Sequence, residues 1–134
     1  VKMTAATDYL ENEVLDHILG KGTSDFVSPA NLYVGLFTSA VDPEVGTVVE
    51  VAGNAYARTS VTFGVAAGGS TANTGDVTFP TASGGDWGLV NNAGIYDAAT
   101  DGNLLFYGAL TVSKTVTDGD TFQISAGSLS IALA

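Results

Sequence analysis

The sequence predicts a mainly β chain: an antiparallel β-sandwich, jelly-roll-like, preceded by one N-terminal α-helix. Three observations carry that prediction. From Asp8 to Gly20 the apolar residues fall at helical spacing. From about Asn31 onward the chain is Val, Thr, Ala, Gly and aromatic residues in short runs. Turn signals divide that stretch into roughly eight strands, the spacing of a sandwich or jelly roll. At 134 residues the length suits a single domain over 1–134, with the helix in 1–20 and the sandwich in 31–134.

The helix is expected to start at Asp8, with Glu11 completing a capping box; Thr4 and Thr7 are alternative caps. Leu10, Val14, Leu15, Ile18 and Leu19 form one stripe, and Glu11, Asn12, Glu13 and Asp16 fall away from it. Gly20 suits the C′ position, and Lys21 sits where the helix dipole favours a cation. Residues 20–30 read as a loop. Asn31 to Thr38 is nearly all apolar and is expected to be buried on both faces. Residues 39–54 read as a long excursion with one short strand at 47–51.

Tyr56 to Phe63 alternates, placing Ala57, Thr59, Val61 and Phe63 on one face and Tyr56, Arg58, Ser60 and Thr62 on the other. Gly64 to Gly75 reads as a low-complexity loop, and Asp76 to Pro80 as a short strand ended by proline. Trp87 to Asp97 and Asn103 to Thr111 form a hairpin whose turn carries Asp101-Gly102. Lys114 to Val116, Thr121 to Ser125 and Ser128 to Leu133 complete the strands. The core is expected in 32–38, 57–63, 87–96, 104–110 and 121–132.

Composition narrows the function. Four basic residues stand against 14 acidic ones, a net charge of −10. The basic residues are scattered, so no patch exists to neutralise phosphates or anionic lipid, and neither nucleic acid nor membrane is an expected partner. Only 13% of residues are charged, low for a solvated monomer, which favours a surface that packs against something. No stretch is long and apolar enough to span a membrane, and the N-terminus lacks the apolar core of a signal peptide. There is no cysteine.

No catalytic site is expected. His17 is the sole histidine, no nucleophile motif accompanies it, and it reads as a surface or interface residue. Asp97, Asp101 and Asn103 flank one turn and Asp118 and Asp120 another. Oxygen-rich turns can hold calcium, but these lack the full ligand spacing, and Asp and Asn favour turns without metal. No metal or cofactor is therefore expected. Gly68-Gly69 lacks the following helix and Lys of a phosphate loop. Trp87 reads as core, with a carbohydrate platform the alternative; Phe63, Phe79, Phe106 and Phe122 read as core. The residues expected at an interface are Leu10, Val14 and Ile18 of the helical stripe, with Tyr56 and Arg58. A planar guanidinium suits a carboxylate across an interface; a solvent-facing arginine on an outer sheet is the alternative.

An ordered set of landmarks runs through the chain. It begins with Tyr9-Leu-Glu-Asn, Leu15-Asp-His and Leu32-Tyr-Val-Gly-Leu-Phe-Thr38, then Gly53-Asn-Ala-Tyr-Ala-Arg58, Val77-Thr-Phe-Pro80 and Trp87-Gly88. It ends with Ile95-Tyr-Asp97, Gly102-Asn-Leu-Leu-Phe-Tyr-Gly108, Gly119-Asp120 and Ala126-Gly-Ser-Leu. This order, over nearly the whole chain, resembles a family of small virion proteins of tailed bacteriophages. Its members are often labelled tail fibre, and relatives look like capsid cement or decoration proteins. The resemblance implies a structural subunit rather than an enzyme.

The expected function is capsid cement. A homotrimer made in the bacterial host cytoplasm would sit on the outer surface of the phage head and bridge subunits of the major capsid protein. The alternative is a tail-fibre or tail-knob subunit with a receptor-binding role. A lectin-like or calcium-binding module is a third possibility.

Overall fold

The computed structural model describes residues 1–22 and 26–133; within the 20–30 loop, residues 23–25 lie outside the described residues. The elements in chain order are β1 (Lys2–Met3), β2 (Ala5–Ala6), α1 (Asp8–Leu19) and β3 (Leu32–Asp42). A 3-10 turn (Pro43–Val45) leads to β4 (Thr47–Glu50), β5 (Thr59–Val61), β6 (Ser70–Ala72) and β7 (Val77–Thr78). Then come β8 (Gly88–Tyr96), β9 (Leu104–Val116), β10 (Gln123–Ile124) and β11 (Ser130–Ala132). The chain is mainly β with one helix, as the sequence predicts.

The large sheet runs β2-β9-β8-β3-β4, with β5 also on β3; β1-β11-β6 and β10-β7 form two smaller sheets. Val34 and Leu36 of β3 and Val90 and Ile95 of β8 meet Met3, Val77, Phe79, Leu129 and Ile131 in one buried cluster. That cluster is the filling of a β-sandwich. The opposite face of the large sheet buries Phe37, Tyr96 and Leu104, with Ala40, Val48 and Tyr107 packed against them. The β3–β4 hairpin supplies Ala40 and Val48 and so covers that outer face. The apolar run in β3 is therefore buried on both sides, with Val34, Leu36 and Phe37 all fully buried. Gly94 makes this possible. A Cβ there would stand 2.5 Å from Leu104 Cδ1 and 2.7 Å from Phe37 Cζ.

Several expectations need correction. The sandwich begins at Lys2, not at 31. β1 pairs with β11, the α-amino group of Val1 donates to the Ser128 carbonyl at 2.6 Å, and Met3 is fully buried. That pairing is parallel, an exception in an otherwise antiparallel arrangement. β3 extends past 38 to Asp42 because β4 pairs with its second half. Leu104–Val116 forms one strand rather than two; residues 110–113 of β9 stand against Asn91 alone as a large irregular bulge.

The alternation over 56–63 holds as strand only in β5. Gly53, Asn54 and Ala55 all take positive φ (74°, 51° and 68°), which turns the backbone before it can pair. Tyr56 consequently packs its ring between Phe79, stacked at 6.3 Å, and Trp87, edge-on at 5.3 Å. The glycine-rich stretch 64–75 is also more than a loop. Gly68 and Gly69, at φ 60° and 75°, turn a tight hairpin whose second arm is β6. Asn73, only 3% exposed, then holds that hairpin to the C-terminal turn. Its side-chain amide donates to Gly75 and Ser125, and its Oδ1 accepts from the Leu129 amide.

Trp87 is core as expected, 6% exposed, with its indole N–H donating to the Asn54 carbonyl at 2.9 Å. Phe79 and Phe122 are buried, while Phe63 and Phe106 are partly buried at the margin of the same cluster.

Candidate functional site

Helix α1 is fastened by one end. Its N-cap is Thr7, not Asp8; the Thr7 hydroxyl accepts from the Leu10 amide and donates to the Leu104 carbonyl at 2.6 Å. The Thr7 amide donates to the Leu105 carbonyl at 2.9 Å. Tertiary bonds to β9 thus select this residue among the possible caps. Asp8 becomes the first helical residue and, with Glu11, complements the helix dipole instead of closing a capping box. At the other end Gly20 is left-handed (φ 66°, ψ 34°). Its amide reaches His17 and that of Lys21 reaches Asp16, a Schellman ending.

Between these caps the apolar stripe is mostly unburied. Leu10 is 7% exposed, but Val14 is 41%, Leu15 56%, Ile18 73% and Leu19 65% exposed. The helix packs chiefly against β9, β2 and the 3-10 turn. A groove lies beside it, lined by Ala6, Leu10, Glu11, Val14, Leu15, Phe106 and Leu133. Of the expected interface residues, then, Leu10 roots the helix, while Val14 and Ile18 face outward.

Tyr56 and Arg58 lie in a different place and in a different state. Arg58 makes a side-on pair with Glu50, Nε to Oε1 at 2.8 Å and Nη2 to Oε2 at 2.9 Å. Its Nη1 donates to the carbonyls of Ala98 and Asp101, and the guanidinium lies 3.4 Å over the Tyr96 ring. The Tyr56 hydroxyl donates to Glu50 Oε1 at 2.7 Å and accepts from the Leu36 amide at 2.9 Å. The carboxylate that suits Arg58 is supplied by its own chain. The result is a staple joining β3, β4, the 53–58 turn and the β8–β9 turn.

Electrostatics follow from that packing. Burial, reinforced by the Glu50 charge, pushes the Tyr96 hydroxyl up to about 12. Burial raises Tyr56 further. For Arg58 burial opposes the charge, but hydrogen bonds to Glu50 and its charge outweigh it and raise the guanidinium above its ordinary value.

The acidic turns spend their oxygens locally. Asp97 Oδ1 accepts from the Asn103 amide at 2.7 Å and Oδ2 from its side-chain amide at 2.9 Å. Asp101 and Gly102 both take positive φ, 53° and 70°, as the turn signal requires. Asp120 Oδ2 accepts from the Thr117 amide and hydroxyl, bonds that hold its carboxyl below the ordinary range. The Asp118 carboxylate accepts from the Gly84 amide, and the Asp118 amide donates to the Asp86 carboxylate.

One acidic grouping is invisible in the sequence. Asp8, Glu11 and Glu44 bring a carboxylate oxygen each to within 4.8 Å of one another, and Glu44 also accepts the Tyr107 hydroxyl. Residue 44 is far from 8 and 11 along the chain, so only the folding of the β3–β4 hairpin toward the helix start assembles this group. His17 sits on the exposed helix. Among the described residues, no helix is long and apolar enough to cross a membrane.

No curated protein matches the chain. A family model described as Podophage GP4 fiber I protein gp80 matches residues 5–132, from β2 to the end of β11. With the match running through the helix, both layers of the sandwich and the Arg58 staple, the chain belongs to this family of phage structural fibre proteins.

Proposed function

We propose that this chain is a non-enzymatic subunit of the fibre apparatus of the virion, acting by assembly rather than by chemistry. The observation that carries this reading is α1. A helix capped at both ends holds Leu15, Ile18 and Leu19 together on one element at 56%, 73% and 65% exposure. Such a face is unfavourable in water and suits burial against another subunit. The family description favours a fibre location. The low charge density suits a surface that packs. Copies would associate as a closed homotrimer.

A second reading is the head-decoration protein that bridges copies of the major capsid protein on the outer head surface. The lack of any fixed-period repeat in the sequence suits it, as it suits a tail knob, better than an extended shaft. Quantitative mass spectrometry of purified particles separates the two. Tens of copies per virion support the fibre reading and hundreds support decoration, while absence from the particle overturns both. Sedimentation of the purified chain tests the trimer.

A further inference from the structure

The outward face of α1 combines two properties that together specify what can cover it. The first is apolar area. Ala6, Val14, Leu15, Phe106 and Leu133 line a groove of about 310 Å³ beside the helix, and the face continues past it through Ile18. The second is negative charge. Glu11 stands in the groove, and Asp8 and Glu44 hold carboxylates within 4.8 Å of that of Glu11.

The surroundings register this charge. A hydrogen bond to Glu44, with desolvation and the charges of Glu44, Glu11 and Asp42, pushes the Tyr107 hydroxyl up to about 12. The chain has few cations to offer in return. Arg58 is held by Glu50, Lys2 and Lys114 lie on β1 and β9, and Lys21 lies beyond the far end of the helix.

A second copy of this chain fits the face poorly. Packing this groove against its own image brings two Asp8, Glu11 and Glu44 groups of like charge into one interface, in a chain of net charge −10. An anionic lipid surface is disfavoured by the same sign of charge. We infer that α1 and its groove receive a basic amphipathic segment of a different virion protein, with apolar side chains to fill the groove and Lys or Arg to meet Glu11 and the neighbouring Asp8. This rests on the reading of the chain as a virion subunit and supplies the chemistry of its partner. The homo-oligomer contact then lies elsewhere on the surface.

The test uses the purified full chain and a fluorescent amphipathic Leu/Lys peptide of about 18 residues, five helical turns. A Leu/Glu peptide with the same apolar pattern is the control. The Leu/Lys peptide should bind by anisotropy, and the control should not. Leu15→Ser with Ile18→Ser should weaken binding at least about tenfold without lowering the melting temperature. Asp8→Asn with Glu11→Gln should weaken it about three- to tenfold and flatten its salt dependence.

Equal binding of the two peptides, or binding untouched by either double variant, overturns the inference. So does a self-associated chain that Leu15→Ser with Ile18→Ser dissociates while the Leu/Lys peptide fails to bind, since the occupant is then a second copy. None of these outcomes bears on whether the chain is present in purified particles, so the virion reading stands or falls separately.

Discussion

The surroundings of Arg58 and the outer face of α1 begin from similar chemistry and end in opposite states. A planar cation beside tyrosines and an apolar helical stripe are both typical of interfaces. Around Arg58 the fold supplies every partner: Glu50 for the fork, Tyr96 for the face, and the Ala98 and Asp101 carbonyls for the remaining donors. Along α1 the fold buries Leu10 but leaves Leu15 and Ile18 largely exposed. Interface-type chemistry therefore marks a need for burial, and the tertiary structure decides whether that need is met inside the chain. A region whose need is met contributes stability. A region whose need is unmet is available for assembly.

The comparison can be broken at its satisfied end most severely. Leu36 is fully buried, and its amide is held by the Tyr56 hydroxyl. Leu36→Ala should cost about 2–5 kcal/mol in urea unfolding. A loss below about 0.5 kcal/mol, the scale of surface substitutions, would remove β3 from the core.

Arg58→Ala should cost less, about 2 kcal/mol, because Glu50 keeps some solvent once its partner is gone. Arg58→Lys should recover under half of the loss, since an ammonium can neither fork onto Glu50 nor cover the Tyr96 ring as a guanidinium does. Full recovery by lysine would reduce the staple to a simple charge pair.

The same network predicts an alkaline limit. Tyr56 and Tyr96 titrate above their ordinary value of 10.0, so the native state holds these protons more tightly than the unfolded chain. Their contribution is complete below pH 10 and is lost as pH rises, for Tyr96 through about 12. Urea midpoints taken across that range should fall more steeply for the native sequence than for Tyr56→Phe or Tyr96→Phe. Parallel slopes would show that these hydroxyls titrate alike in both states.

The smallest stability effect belongs to the helix. Leu15→Ser with Ile18→Ser should change unfolding by less than about 0.5 kcal/mol, as expected for exposed positions, while altering assembly. A loss above about 1 kcal/mol would show that this face is already packed within the chain.

The sequence by itself determined the elements whose cause is local. The stripe from Leu10 to Leu19 and the glycine at 20 specify a helix and its ending, because spacing and φ > 0 act within a few residues. The unbroken apolar run from Leu32 to Phe37 specifies a strand buried on both faces, and Asp101-Gly102 specifies the turn between β8 and β9. Even Gly68-Gly69 carried a hairpin signal, masked by the small, polar residues around it.

What the tertiary structure alone decided depends on residues distant in sequence. Thr7 became the cap because Leu104 and Leu105 of β9 were there to bind it. Lys2 and Met3 became strand because β11 offered an edge. Arg58 found Glu50 because Gly53, Asn54 and Ala55 turn the backbone back toward β4. Asp8, Glu11 and Glu44 were gathered by the closure of the β3–β4 hairpin. Local pattern states which side chains require burial or a partner. Only the closing of long loops determines which of them obtain one and which are left for another molecule.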